Sequence, residues 1–213
     1  METQEQGFRL VPLDCPTCGA AVAAEGDDVL FYCTACRNGY RFLVDESRLE
    51  PVEVAFLADA AVAADLYLPF WFLDADVTID RQAAGWRASG LLDLLRGRSG
   101  SAAGPRPLRI AVPAFHTPVA TAVALTERYT ADLPAMGERL GERLVGGKYG
   151  LDDARKLARF ALIAAEVRKP DLLRDLEYRV EFGDSRLLGV PFVRRRGSLS
   201  DAVFGIPTPK LDG

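Results

Sequence analysis

"CPTCGAAVAAEGDDVLFYCTACRNGY", residues 15–40, holds all four cysteines of a 213-residue chain. They fall as two Cys-x-x-Cys pairs, Cys15/Cys18 and Cys33/Cys36, with fourteen residues between them. A pair at this spacing turns two thiolates toward one point, and two pairs supply the four soft ligands of a tetrahedral ion. Zinc is the expected cofactor; iron in an S4 site has the same ligands, but nothing in the sequence suggests an electron-transfer partner. Because protein fills all four positions, no coordination site is left for water or substrate, and the metal is expected to hold a fold. Disulfides or redox use of a pair are the competing readings. The first is disfavoured in a reducing compartment, and the second needs a thiol acidified at a helix terminus.

The residues around the ligands predict strands. "AAVAAE" alternates weakly, "EGDD" is a turn sequence and "VLFY" is β-branched and aromatic, so the knuckles are expected to be joined by a hairpin, with "GYRFLV" as a third strand. Gly19, and Asn38-Gly39 after the second pair, are candidates for positive φ where each knuckle turns. Through "CPTCG" and "CTACRNG" on either side of a hairpin the segment resembles the zinc-ribbon family over roughly residues 9–45, with Arg37 where a glycine is frequent. The resemblance implies that Cys15, Cys18, Cys33 and Cys36 are zinc ligands. The order of a ribbon followed by "LPFW" (68–71) also resembles, in outline, uncharacterised bacterial ribbon proteins, and implies no activity.

Charge narrows the partners. The whole chain has 26 basic and 30 acidic residues, and residues 1–50 hold nine acids against four arginines. Four thiolates around one divalent ion would add a net −2 to that segment. Phosphate binding needs the opposite sign, so a protein partner is expected and nucleic acid is not. The apolar runs are broken by Asp65, Pro69 and Asp74 well short of the ~20 residues of a membrane helix. The start, "METQEQGFRL", does not read as a secretory signal, and a cytoplasmic protein is expected.

Beyond Pro51 the pattern is mixed, giving an α+β fold with mostly antiparallel strands: a three-stranded zinc ribbon over 8–48, then a domain over 49–213 with a flexible loop at 97–107. The clearest strand is Leu68–Asp80, with Trp71, Leu73, Ala75, Val77 and Ile79 on one face and Asp74, Asp76, Thr78 and Asp80 on the other. The aspartates read as a solvated face, since one flat strand cannot encircle an ion. "LRIAVPAF" is a further strand, followed by a helix with Thr117 as candidate N-cap and Pro118 in its first turn. The single histidine, His116, has no nucleophile beside it in the sequence, and "GGKYG" (146–150) lacks phosphate-loop spacing and reads as a linker.

Leu151–Lys169 is the strongest helix; its centre, "FALIAAEV", is apolar nearly all round, which fits either burial or a second apolar face for a partner. "LEYRVEFGDSRLLGVPFV" reads as a hairpin turning at "GDS", and Arg194–Arg196 as a solvated basic run before a trailing end. "LYLPFW", "IAVPAF" and "LLGVPF" each set a proline in an apolar strand. One open sheet has two edges, so at least one of the three must mark a strand end or bulge, unless there is more than one sheet.

No catalytic residue is expected. The function read from this is a non-enzymatic zinc protein acting as an interaction adaptor or assembly factor. The alternatives are a nucleic-acid binder of transcription or replication, and an enzyme with a pocket in the larger domain.

Overall fold

The structure, a computed structural model, describes residues 13–43, 46–57, 64–81, 104–135, 144–164, 177–195 and 198–208. It is α+β, as expected. β1 (Leu30–Cys33), β2 (Asn38–Leu43) and β3 (Arg48–Val52) form an antiparallel sheet with β2 in the centre. A second sheet runs β6 (Arg106–Pro113), β5 (Leu66–Arg81), β7 (Glu177–Arg195), β8 (Ser198–Asp201), β9 (Pro207–Thr208). β4 (Val54–Phe56) joins it as the one parallel pairing among the described strands, against Leu187–Gly189 of β7.

Three strand expectations are corrected. "AAVAAE" gives only the bridge Asp14↔Ala21, and the third strand of the small sheet is β3 instead. β2 is thereby paired on both sides, and β3 runs through the boundary expected between residues 48 and 49. The predicted C-terminal hairpin is one continuous strand, β7. Between Leu73↔Ser185 and Ala75↔Phe182 it carries one more residue than β5, so the "GDS" turn signal is absorbed as a bulge along a long partner. The trailing end, in turn, forms β8 and β9.

The prolines obey the donor argument. Ala114 N–H donates to Pro69 O at 2.9 Å, just past the last β5–β6 pair, Phe70↔Pro113. Pro69 has no N–H to return to the Ala114 carbonyl, which accepts Lys148 N–H (2.7 Å) and Tyr149 N–H (3.1 Å) instead. Pro191 repeats the device: Ala202 N–H donates to Pro191 O at 2.9 Å, one step beyond Phe192↔Asp201, where the β7–β8 ladder stops. Each proline ends a ladder, so two central strands can contain one.

The larger sheet is covered on both faces. On one, Leu66, Leu68, Phe70 and Phe72 pack with Leu125 and Tyr129 of α1 (Val119–Ala131). On the other, Tyr67, Trp71, Leu73, Ala75 and Val77 pack with α2 (Leu151–Ala164) and with Leu30 and Tyr32 of β1. α2 buries one stripe, Ala154, Ala158, Ala161 and Leu162, and turns Phe160 outward at 45% exposure. Its expected extension to Lys169 lies outside the described residues, as do 97–103 of the expected loop; Arg106 and Pro107 are already in β6. The α1 N-cap is Pro118 with no side-chain bond, so Thr117 does not cap it.

Among the described residues no helix is long and apolar enough to cross a membrane.

Candidate metal centre

The cysteine sulfurs sit at two turns flanking β1. In the first knuckle Cys15 N–H donates to Ala20 O and Gly19 N–H to Cys15 O, both at 2.8 Å, and Gly19 takes φ 70° as expected. In the second, Arg37 N–H donates to Cys33 O at 2.7 Å, and Arg37 itself has φ 60°. Positive φ was expected at Asn38-Gly39, which instead open β2. Gly39 is required for a different reason: a Cβ there would lie 2.2 Å from Val54 Cγ2 and 2.8 Å from Val52 O. The departure from the ribbon pattern at Arg37 therefore falls on the residue that adopts the left-handed turn.

These turns bring together all four predicted ligands, with every sulfur within 4.8 Å of the others. The close pairs run between knuckles, Cys15 Sγ to Cys36 Sγ at 3.5 Å and Cys18 Sγ to Cys33 Sγ at 3.6 Å. Bonds of about 2.3 Å from a tetrahedral centre put sulfurs ~3.8 Å apart, so the donor set fits one such ion. Cys15 and Cys33 are buried, Cys36 half-buried and Cys18 exposed.

Four thiols this close cannot all ionise unaided. Burial opposes ionisation of Cys15, but its contact with the Tyr40 hydroxyl and hydrogen bonds from the Cys18 and Thr17 backbone outweigh it and bring its pKa down to about 6. Cys18, although it accepts a backbone bond from Ala20, is pushed up to about 12 by desolvation and by its three sulfur neighbours. Ionisation is therefore favoured at Cys15 and opposed at Cys18, where a cation would compensate the charge.

Sequence reasoning missed the groups behind the ligands. Tyr40, fully buried, places its hydroxyl 3.1 Å from Cys15 Sγ and 4.0 Å from Cys36 Sγ, and donates to Thr17 Oγ1 at 2.7 Å. Burial, reinforced by Cys15, pushes its phenol up to about 12 against Thr17 and Asn38. A threonine inside the first pair and a tyrosine four residues after the second were the available signals.

"GGKYG" proves to be a docking segment. Val29 and Leu30 N–H groups both donate to Gly147 O, at 2.8 and 3.1 Å, and Gly147 N–H returns a bond to Leu30 O at 3.1 Å. Lys148 Nζ, 11% exposed, stands 2.7 Å from Glu25, 2.5 Å from Asp27 and 2.9 Å from Asp28. These carboxylates could otherwise hold a metal, but the ammonium occupies their centre. Burial works against the Lys148 charge, yet its bonds to Asp27, Glu25 and Asp28 raise its pKa, and Lys148 in turn lowers that of Asp27. A lysine opposite an "EGDD" turn was legible as a charge match, though nothing in the sequence placed them together.

The remaining candidates lie elsewhere. His116 is exposed, with Nδ1 3.8 Å from Asp27. Asp74 pairs with Arg109 on β6 at 2.6 Å and Asp80 with Arg179 on β7 at 3.5 Å, the cross-strand pattern of a solvated face. A cleft of about 600 Å³ lies over that face at the end of α1. Several polar groups in its lining are paired: Arg109 with Asp74, Tyr129 with Asp201, and Thr130 Oγ1 with Ala111 N–H. Arg194 and Arg195 are exposed, and Arg196 lies outside the described residues.

No family model, curated protein or solved structure matches the chain.

Proposed function

We propose that Cys15, Cys18, Cys33 and Cys36 hold one Zn2+ as the structural centre of a zinc ribbon, and that the chain is a non-enzymatic adaptor or assembly factor working through protein contacts. The observation that carries the metal reading is the set of four sulfurs within 4.8 Å of one another. The ion would supply two positive charges that let the thiolates coexist, and with them the folding energy of a small sheet. The ribbon, its sheet continued by β3 to Val52, then serves as an acidic module seated on the larger sheet, and the excess of acids in residues 1–50 favours a basic protein surface as its partner.

Elemental analysis of anaerobically purified full chain tests the first part, with one zinc per chain expected. Affinity purification from the native host tests the second: a protein retained by the wild type and lost with Cys33→Ser supports the adaptor reading. Zinc-independent recovery of nucleic acid would replace it.

A further inference from the structure

Tyr40 is not a ligand, yet its hydroxyl points at one. It sits on β2, the central strand of the small sheet, between Phe31 of β1 and Pro51 of β3, so paired backbone on both sides fixes its ring. We propose that Tyr40 is a positioning residue of the metal centre, donating a hydrogen bond from its phenol to the Cys15 thiolate. This rests on the metal reading above.

The argument is one of hydrogens. Bound to an ion, Cys15 is a thiolate and carries no hydrogen, so the hydrogen in the 3.1 Å contact has to come from the phenol. Once the phenol turns to sulfur, Thr17 can supply its own hydrogen to the tyrosine oxygen across 2.7 Å. Thr17, Tyr40 and Cys15 then form a directed chain ending on the ligand, in a place where Tyr40 is shut off from water. Such a bond orients the sulfur and draws off part of its charge, as outer-shell donors do in metal sites generally.

The test compares zinc-loaded, full-length wild type with Tyr40→Phe, which keeps the ring and removes only the donor. Zinc affinity by chelator competition is expected to fall about 10- to 100-fold. In the cobalt-substituted proteins the thiolate-to-metal charge-transfer band should move to lower energy, because an undonated thiolate gives up its electrons more easily. That band reports on the sulfur and would not respond to a purely packing role. Thr17→Val, with the phenol intact, should shift both readouts the same way by less, and it decides the matter should Tyr40→Phe not fold. An affinity within about threefold of wild type together with an unmoved band overturns the proposal while leaving the metal reading standing. If wild type takes up no stoichiometric metal, both fall.

Discussion

Replacing Gly147 by alanine isolates the seam between the two sheets. Gly147 is outside the left-handed region, so alanine costs no backbone strain there, and the effect comes from space alone. The added Cβ would lie 2.7 Å from Leu30 Cδ1, 3.0 Å from Pro69 Cγ and 3.1 Å from the Ala114 carbonyl oxygen. The leucine can yield; a proline ring and a backbone carbonyl that already accepts two bonds yield much less. Overpacking of this kind costs about 1–3 kcal/mol. Relief by withdrawal of β1 would lengthen the three bonds to Val29 and Leu30, each worth about 1 kcal/mol.

These are alternative responses to one clash, so the expected loss is about 2 kcal/mol rather than their sum. Urea titration of the metal-loaded chain should show it. Amide exchange at Val29 and Leu30 should quicken about 30-fold, since each 1.4 kcal/mol is a factor of ten. Gly26→Ala, where nothing lies within 4 Å of the new atom, is the control and should stay within about 0.5 kcal/mol of wild type. Gly147→Ala behaving like Gly26→Ala in both measurements would refute the close contact of β1 with Gly147.

Cys33→Ser should abolish stoichiometric zinc and strip exchange protection from β1 and β2 while β5 and β7 keep theirs; a protected ribbon would show that metal is not what holds it. Lys148→Met should cost about 2–3 kcal/mol at pH 7, below the figure for a fully buried pair because Glu25 and Asp27 are half exposed and only Asp28, at 3%, is buried. Lys148 holds the Asp27 pKa below its ordinary value, so that stabilisation is present above about pH 4 and lost as pH falls through the lowered value; the gap between variant and wild type in urea should therefore narrow below about pH 4 and persist at pH 7. Asp201→Ala should cost about 3–4 kcal/mol in a urea titration, because Asp201, 1% exposed, accepts from Tyr129 O–H (2.9 Å) and from the Val203, Phe204 and Ile206 N–H groups; a loss under about 1 kcal/mol would mean those donors find other partners.

The cysteine cluster and the strongest strand were legible because their signals are local. Two Cys-x-x-Cys pairs bend toward one point whatever surrounds them, and the alternation from Trp71 to Asp80 separates a core face from a wet face by its period of two. The proline rule was also local, since an absent N–H limits where a ladder can continue regardless of fold. The strand choices that failed were ones that depended on a partner. "GDS" looks like a turn until a 16-residue strand lies alongside to hold both of its flanks, and "AAVAAE" looks like a strand until Gly147 takes the edge of β1 at Leu30. Thr117 is a good cap by composition, yet α1 begins without a side-chain bond.

By itself, then, the chain determined which residues can ligate, which faces are apolar and where ladders must stop, all properties of neighbours within a few residues. Only the tertiary structure decided that Lys148, more than a hundred residues from the "EGDD" turn, neutralises it, and that Gly147 pairs with Leu30. It alone put Tyr40 behind Cys15 and brought the Tyr129 hydroxyl to Asp201. Long-range contacts of this kind are selected by the packing of whole sheets, and no short stretch of sequence carries the information that specifies them.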